Sequence, residues 1–435
     1  MPDSKLKYLW IFYNLFVCAL ALIWRRLLFR TKVIAISGSV GKTTAKDCLA
    51  LILARRFPIV STIGTFNGRN GIPRTILRAR PWHRFVIVEA GIQKPGRMWR
   101  SAWLLKPDVV VMLRVAMTHP KGFDSLDVVA HEKAKLLDPL SQRGVAILDG
   151  DDARVAAMAK GRPFEVIRFG YSDTFDVWAD EVSATWPDRL RFRVHAGDKT
   201  QWIQTQLVGS HWVPSVLAAI TAALHCGVSM EDAANALAGM QPVIARMQPV
   251  DLHGGATMIR DEYNGSLVTA WPALQVLKTG KAQRKLVVLG CYDGEGGEED
   301  AALPVAREMA GFADIAIVVG SHSEAVCRTV LAAGMSPQNL LCAESLPETA
   351  EILRRVRRQG DLVLLRGLWD WHMSRVYFAQ LGSVACWKTD CQKVITCDNC
   401  WELGFRPFER ALGAVADAGP QTTTLRVGRG HSSSG

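Results

Sequence analysis

The chain has 435 residues, of which 49% are hydrophobic and 21% charged, and it carries a net charge of +11. This length gives room for two or three domains, and the composition is that of a globular protein, which excludes a chain unable to build a large core. The positive charge would suit a nucleic acid, but no recognition motif accompanies it, so we expect no nucleic-acid partner.

The first predicted element is a hydrophobic helix. Residues 8–24 contain no charged side chain, Arg25 and Arg26 follow them, and Trp10 and Trp24 lie where interfacial aromatic residues belong. The run is at the lower length limit for crossing a bilayer, and no cleavage site of a signal peptide follows it. We predict an anchor that spans the membrane or lies in its interface, on the cytoplasmic face of the inner membrane. A helix buried in the fold or packed on a partner is the alternative.

A glycine-rich loop follows the first predicted strand. Residues 36–44 read ISGSVGKTT and precede an apolar helix predicted over 45–55. Small residues let backbone N–H groups converge on phosphate oxygens at a helix N-terminus. Lys42 can reach the β- and γ-phosphates, and the Thr43 hydroxyl can ligate Mg²⁺. Ile36 stands where the general loop motif has a glycine, so a glycine turn capped by threonines is the alternative reading.

Beyond the loop, short apolar runs alternate with amphipathic stretches. The pattern predicts an α/β fold, in which a P-loop domain with a mostly parallel sheet precedes a smaller Rossmann-like α/β domain. The segments are 1–32 (hydrophobic helix and basic linker), 33–243 (P-loop domain, with an antiparallel insertion at 176–207), 244–385 (second domain), 386–405 (Cys-rich segment) and 406–435 (tail, largely disordered). The predicted strands are 33–36, 85–89, 109–113, 145–148, 166–169, 257–260, 285–289, 315–319, 340–343 and 362–365.

Several short motifs follow the loop in a fixed order. They are 65–73 (TFNGRNGIP), 88–91 (VEAG), His119, 131–135 (HEKAK), 148–152 (LDGDD), 209–211 (GSH), 245–246 (AR) and 261–264 (DEYN). In this order they resemble the Mur ligase family, the ATP-dependent ligases that join amino acids to carboxylates in peptidoglycan assembly. The similarity extends over residues 33–370 and is closest to the branch that adds D-alanyl-D-alanine.

The resemblance implies a role for each matching residue. The ATP-binding set is Gly38, Ser39, Val40, Gly41, Lys42, Thr43, Thr44, Arg246 and Asp261, and the substrate-binding set is Asn67, Asn70, Tyr263 and Asn264. Thr43 and Glu89 correspond to Mg²⁺ ligands, and His119 to a histidine near a second metal. Lys133 corresponds to a lysine that the family often carries in carbamylated form. The implied catalytic residues are Lys42, Glu89, His119 and Lys133.

The chemistry of these residue types agrees with such roles. Phosphoryl transfer to a carboxylate needs positioning and charge neutralisation more than covalent catalysis. Lys42 and one or two Mg²⁺ ions would neutralise the γ-phosphate. Each assignment has a structural alternative, because Glu89 could cap a helix at a strand end, His119 could be a loop histidine without a ligand, and Lys133 could be a solvated helix lysine.

The chain departs from the family pattern at several places. We expect the hydrophobic helix and basic linker to replace the family's first domain, which holds the UDP end of the muramyl substrate, so a soluble UDP-muramyl peptide is disfavoured. Trp212, Ala245, Leu267 and Arg366 stand at motif positions where the family has other residues. These changes suggest altered contacts to the adenine and to the second substrate. The layout is also similar to that of membrane-anchored poly-γ-glutamate synthases.

The ten cysteines fall into two groups. Six are scattered through apolar segments, as is typical of reduced core thiols: Cys18, Cys48, Cys226, Cys291, Cys327 and Cys342. The other four, Cys386, Cys391, Cys397 and Cys400, are spaced so that they could form a tetrahedral Zn²⁺ site. An iron–sulfur cluster and unliganded thiols are the alternatives. Tryptophans 369, 371, 387 and 401 suggest a surface for a protein partner in the same region.

We therefore predict an ADP-forming ligase. It would activate a carboxylate as an acyl phosphate with ATP and join it to the amine of an amino acid or small peptide. A membrane-associated ATP-binding scaffold without ligation, and a cell-wall ligase acting on a UDP-muramyl peptide, are the alternatives.

Overall fold

The computed structural model describes residues 4–68, 70–118, 122–292, 299–388, 391, 393 and 396–405. The helices are α1 (Ser4–Leu27), α2 (Lys42–Ala54), α3 (Gly71–Arg78), α4 (Met98–Leu105), α5 (Leu126–Ala134), α6 (Ala153–Ala157), α7 (Val213–His225), α8 (Met230–Leu237), α9 (Leu267–Thr279), α10 (Glu299–Ala310), α11 (Ser323–Ala332), α12 (Leu346–Val356) and α13 (Ser374–Leu381). The strands are β1 (Lys32–Ser37), β2 (Ile59–Ser61), β3 (Phe85–Glu89), β4 (Val109–Met112), β5 (Val145–Asp149), β6 (Glu165–Gly170), β7 (Val177–Ser183), β8 (Arg191–Ala196), β9 (Lys199–Gln204), β10 (Gln248–Asp251), β11 (Thr257–Asp261), β12 (Arg284–Gly290), β13 (Ile315–Val319), β14 (Leu340–Ala343) and β15 (Asp361–Arg366).

The strands from β1 to β9 form one sheet in the order β2-β3-β1-β4-β5-β6-β7-β8-β9. Neighbours from β2 to β7 run parallel, and β7, β8 and β9 pair antiparallel. Helices α2 and α7 pack on one face, and α3, α4 and α5 on the other. The central strands are apolar along most of their length because both faces of the sheet are covered.

A second sheet has the order β10-β11-β15-β12-β13-β14 and is parallel except for the edge strand β10. The predicted α/β fold with parallel-rich sheets is therefore confirmed. In an open parallel sheet, side chains at the carboxyl ends of the strands line a common crevice. The ends of β1, β3 and β4 in the first sheet and of β11 in the second supply the residues discussed below.

Helix α1 packs on the first sheet's helical layer. Trp24 Nε1 donates to Ala79 O at 2.9 Å, and Arg25 donates to Leu105 O at 2.7 Å and pairs with Asp108 at 3.1 Å. In the part of the chain that the structure describes, no helix is both long and apolar enough to cross a membrane. The prediction of a spanning anchor is therefore not supported. One face of this helix is instead packed against the first domain.

One expectation about the cysteines is wrong. Cys327 of α11 and Cys342 of β14 form a disulfide bond, with their Cα atoms 6.8 Å apart, where the sequence indicated two reduced core thiols. The helix packs against the strand, so residues 15 positions apart in sequence become neighbours. Spacing alone could not show this, because it is the turn after α11 that brings the chain back along the helix in β14.

Candidate functional site

A cavity of about 1650 Å³ lies between the two sheets. The glycine-rich loop after β1, Glu89 at the end of β3 and Arg114 after β4 line its first side. Arg246 and Tyr263, from the linker and from the loop after β11, line the facing side. The cavity therefore brings together most residues that the sequence analysis selected, although they are far apart in the chain.

The loop is packed so tightly that only glycine fits at two positions. Gly38 and Gly41 have φ of 144° and 80°, conformations that favour glycine. A Cβ on Gly38 would lie 2.6 Å from Leu113 Cβ, and one on Gly41 would lie 2.2 Å from Ser215 Oγ. Helix α2 begins directly after, at Lys42. The loop therefore presents backbone and a helix N-terminus to the cavity, which suits phosphate binding.

Lys42 folds back over this loop. Its Nζ donates to Gly38 O at 3.0 Å and to Ser39 O at 2.9 Å. Burial lowers the pKa of Lys42, the Glu89 carboxylate opposes that shift, and Arg246 adds to it. A cation held at two loop carbonyls is positioned to contact phosphate oxygens when a nucleotide binds.

Thr43, Glu89 and Asn67 form a connected set at the cavity floor. Thr43 Oγ1 donates to Glu89 Oε2 at 2.9 Å, and Asn67 Nδ2 donates to Glu89 Oε1 at 2.6 Å. Glu89 is only 1% exposed, so its charge needs a cation nearby. A hydroxyl beside a buried carboxylate is an oxygen donor set that fits Mg²⁺.

The other predicted catalytic and substrate residues lie around this set. Lys133 of α5 donates from Nζ to Gly38 O at 2.8 Å. Burial, and then the charge of Lys42, hold the pKa of Lys133 well below its usual range. Asn70 precedes α3, and its buried Oδ1 has no partner among the described residues. His119 lies outside the described residues.

The linker between the sheets places Arg246 over Tyr263. The guanidinium lies 4.2 Å from the ring centroid, and Tyr263 OH lies 2.5 Å from Thr65 Oγ1 of the loop before α3. Ala245 and Met247 have positive φ of 57° and 51°. Tyr263 N donates to Ala245 O at 3.1 Å, which holds this linker turn against the second sheet.

Asp261 and Asn264 are engaged within the second sheet's own loop. Asp261 Oδ2 forms a salt bridge with Arg366, and its Oδ1 accepts from Met247 N at 3.2 Å. Burial raises the pKa of Asp261 to about 6, against the effect of Arg366. Asn264 Oδ1 accepts from Ser266 N at 3.0 Å. Both residues line the cavity, but their side chains position the linker and the start of α9.

Sequence reasoning missed one whole wall of the cavity. Leu15 and Leu22 of α1, with Trp99 and Trp103 of α4, line it, and both helices pack on the first sheet's side of the molecule. The spacing of the two tryptophans, four residues apart, was the only local signal, because it places them on one helix face. His211 was noticed as part of a motif and also lines the cavity, and burial lowers its pKa to about 4.

The four clustered cysteines line a small cavity of about 10 Å³ together with His372. Cys397 Sγ lies 3.5 Å from His372 Nδ1, and Lys393 Nζ lies 3.7 Å from Cys400 Sγ. Even so, within the described ranges no group of three or more His, Cys, Asp or Glu side chains is arranged to hold a metal ion. The zinc site is therefore not supported by the structure and stays a prediction. Trp401 is 72% exposed, with Lys393 over its ring.

Comparison with known proteins agrees with this site. The chain matches the Mur ligase middle domain over residues 36–223 and the Mur ligase glutamate ligase domain over residues 245–368. It is 33% identical over 358 residues to the UDP-N-acetylmuramoyl-tripeptide--D-alanyl-D-alanine ligase of Mycobacterium tuberculosis, covering 77% of this chain and 70% of that protein. A crystal structure of MurF from Acinetobacter baumannii is similar with a TM-score of 0.77 at 26% identity, covering 85% of this chain and 80% of that one.

A more distant structure shares the fold. The folylpolyglutamate synthase of Thermotoga maritima has a TM-score of 0.61 at 12% identity, covering 84% of this chain and 95% of that one. Fold and cavity together define an ATP-dependent ligase with a phosphate-binding loop. The chain belongs to the Mur ligase family, whose members use ATP and Mg²⁺, and it is an ATP-dependent, ADP-forming amide ligase. The scaffold alternative is not supported.

Proposed function

We propose that this enzyme joins the amine of D-alanyl-D-alanine, or of a similar small peptide, to the carboxylate of a muramyl tripeptide. The relatives' names favour this cell-wall reaction, which the sequence analysis placed behind a less specific amide ligase. The observation that carries the proposal is the convergence of Lys42, the Thr43–Glu89 pair and Arg246 on one cavity.

The side chains around the cavity suit a reaction in two steps, formation of an acyl phosphate and its attack by the amine. The substrate carboxylate attacks the γ-phosphorus of ATP, ADP leaves, and the acyl phosphate is then attacked by the amine, which releases phosphate and a proton. Bound Mg²⁺ would supply charge neutralisation at the phosphates. Lys42 holds the transferring phosphoryl group, and Glu89 with Thr43 would hold the metal. Asn67 fixes the orientation of the Glu89 carboxylate through its hydrogen bond.

Lys133 also fits a role in carbamylated form. Burial lowers the pKa of Lys133 and so favours the neutral amine, the form that can add CO₂ and lose a proton to give a carboxylate-like group. Its contact with Gly38 O would bring that group beside the loop. Carbon-13 NMR of protein supplied with labelled bicarbonate should show a carbamate signal that Lys133→Met removes. A spectrum without this signal would leave Lys133 as a structural lysine.

We also propose that the enzyme lies at the cytoplasmic face of a membrane, through the exposed face of α1. Phe12, Phe16 and Ile23 on this helix are 69%, 63% and 60% exposed. The exposed Arg26 and Arg30 would complement anionic lipid headgroups. Full-length protein should co-sediment with vesicles of anionic lipid more than with neutral vesicles, and Phe16→Ser should weaken this. Equal recovery in the supernatant with and without vesicles would contradict it.

The test of the proposed function is ADP release across a matrix of carboxylates and amines. Muramyl tripeptide with D-alanyl-D-alanine should stimulate release most strongly, and omission of either should abolish the stimulation. Glutamate and folate-type carboxylates are the comparison set. If one of those pairs is turned over and the muramyl pair is not, the proposed substrate is wrong while the ligase assignment stands.

A further inference from the structure

The large cavity continues past the reaction centre to an apolar wall. Leu15 and Leu22 of α1 and Trp99 and Trp103 of α4 form this wall. They are 52%, 42%, 46% and 53% exposed, although they line a cavity that also contains Lys42 and Glu89. When an apolar group of a ligand covers apolar side chains that are open to a binding cavity, the free energy of the complex is lowered.

This wall is a fixed part of the fold. Arg25 of α1 donates to the carbonyl oxygens of Leu105 and Lys106 at the end of α4, at 2.7 Å and 2.8 Å. Arg26 Nη2 donates to Trp103 O at 3.2 Å. These bonds hold α1 beside α4, so the two helices present their apolar side chains together.

Positive charge lies beside the apolar surface. Arg97 and Arg100 line the same part of the cavity and are exposed. Among the described residues that α1 and α4 contribute to this wall, none is acidic. A molecule that joins an anionic group to a hydrocarbon chain could therefore bind with the anion at the arginines and the hydrocarbon on the leucines and tryptophans.

The size of the cavity leaves room for such a molecule. A volume of about 1650 Å³ is larger than the 300–1,000 Å³ of typical small-molecule pockets. The predicted nucleotide and substrate residues, among them Lys42 and Tyr263, lie elsewhere in the cavity lining. The wall of α1 and α4 is apolar lining to which none of those roles has been given, so part of the carboxylate substrate can cover it.

We propose that the carboxylate substrate is amphiphilic, namely a muramyl peptide carried on a lipid diphosphate, whose hydrocarbon lies on the α1 and α4 wall. The diphosphate lies at Arg97 and Arg100, and the peptide carboxylate reaches the γ-phosphate site at Lys42. This inference rests on the proposed function for the peptide part of the substrate. The inference adds the nature of the carrier, which is a lipid diphosphate in place of a soluble nucleotide.

The test compares two carriers of the same tripeptide in detergent micelles. Full-length enzyme, ATP and D-alanyl-D-alanine are supplied with the tripeptide on farnesyl diphosphate or on UDP, and ADP release is measured. We expect kcat/KM to be at least about tenfold higher with the farnesyl carrier, the effect of one well-placed apolar anchor. Equal values, or a preference for UDP, would overturn the lipid carrier and leave the proposed function standing.

Two tryptophan variants test whether the wall of α1 and α4 contributes to substrate binding. Trp103→Gln should raise KM for the farnesyl-linked substrate about tenfold and leave the UDP-linked substrate unchanged. Trp82→Gln is the matched control, since Trp82 is 69% exposed and lies outside the cavity lining. If KM for the farnesyl-linked substrate rises equally in both variants, or in neither, the wall does not bind the substrate.

A binding measurement keeps the inference testable even if neither carrier is turned over. Farnesyl diphosphate alone should bind saturably to the wild type by calorimetry, more tightly than inorganic diphosphate, and Trp103→Gln should weaken it. Absence of turnover with both carriers would count against the proposed function. Absence of a difference between farnesyl diphosphate and inorganic diphosphate would count against the lipid carrier.

Discussion

The two ends of the large cavity are built from different kinds of side chain. At the loop end, buried charged and polar groups contact one another, as in the Thr43–Glu89 hydrogen bond of 2.9 Å. At the other end, Trp99 and Trp103 are about half exposed, and the polar group recorded near their rings is Arg100, whose guanidinium lies 5.4 Å from the Trp99 ring centroid. Groups that perform the phosphoryl transfer must be held in one geometry, whereas a surface that receives part of a substrate can stay open until it is covered.

The strongest test of this difference is removal of the loop cation. Lys42→Ala should lower kcat for ADP formation by about 10³-fold, because the charge at the phosphates is lost in a water-excluded site. Lys278→Ala is the matched control, since Lys278 is half exposed and pairs with Glu308 on the surface. Steady-state kinetics of both variants decide the matter. A Lys42 variant with near wild-type kcat would mean that another cation neutralises the phosphates.

A smaller effect is expected at Asn67, which contacts the predicted metal ligand Glu89. Asn67→Ala should lower Mg²⁺-dependent activity by about 10–100-fold, because Glu89 loses the partner that orients it. Raising the Mg²⁺ concentration should recover part of the loss. Asn339→Ala, at an exposed position, should change nothing. If added Mg²⁺ gives no recovery, Asn67 acts on the substrate and not through the carboxylate.

The burial of His211, which also lines the cavity, should be visible in the pH dependence of stability. Burial lowers the pKa of His211 to about 4, so between pH 6.5 and 4 the unfolded chain binds a proton that the folded chain does not. This contribution to stability is present above pH 6.5 and is lost as the pH falls, by about 1.4 kcal/mol per pH unit. His211→Gln should flatten that slope in urea unfolding, and the exposed His253→Gln should not. An unchanged slope in the first variant would show that His211 is accessible to water.

The cysteine segment should have the smallest influence on turnover. The sequence-based prediction is one zinc per chain, removed by changing Cys397 and Cys400 together to serine, with the ATP site intact because it lies in another part of the molecule. Elemental analysis and limited proteolysis near the C-terminus check this. Protein without zinc, purified in the absence of chelators, would leave the four cysteines as ordinary thiols, as the arrangement of the described side chains suggests.

The sequence predicted the strands of both sheets well for a physical reason. Strands such as β3 and β13 are buried on both faces, so they appear as continuous apolar runs, and the predicted bounds 85–89 and 315–319 agree with the observed ones. β10, an edge strand of sequence QPVD, carries no such signal and was missed. Helix α3 was also missed, because Gly71 and Pro73 at its start are typical of a loop.

The residues of the site also fall into two groups, those whose proximity the sequence could predict and those whose proximity it could not. The loop residues and Glu89 follow strands whose ends must meet at one edge of a parallel sheet, so their proximity could be inferred. The contact between α1 and α4 joins segments about 80 residues apart and depends on hydrogen bonds such as that from Arg25 to Leu105 O. No local pattern encodes this pairing, so the apolar wall became visible only with the fold.

The linker turn at Ala245 and Met247 has a consequence for the placement of Arg246. A left-handed conformation costs an alanine or methionine roughly 1–2 kcal/mol relative to its preferred geometry. Here the hydrogen bonds of Tyr263 N to Ala245 O and of Met247 N to Asp261 offset that cost. Both hydrogen bonds join the linker to the second sheet, so the strained turn belongs to that sheet as one unit. Arg246 lies between the two left-handed residues, so the backbone itself sets the direction in which its guanidinium extends over Tyr263.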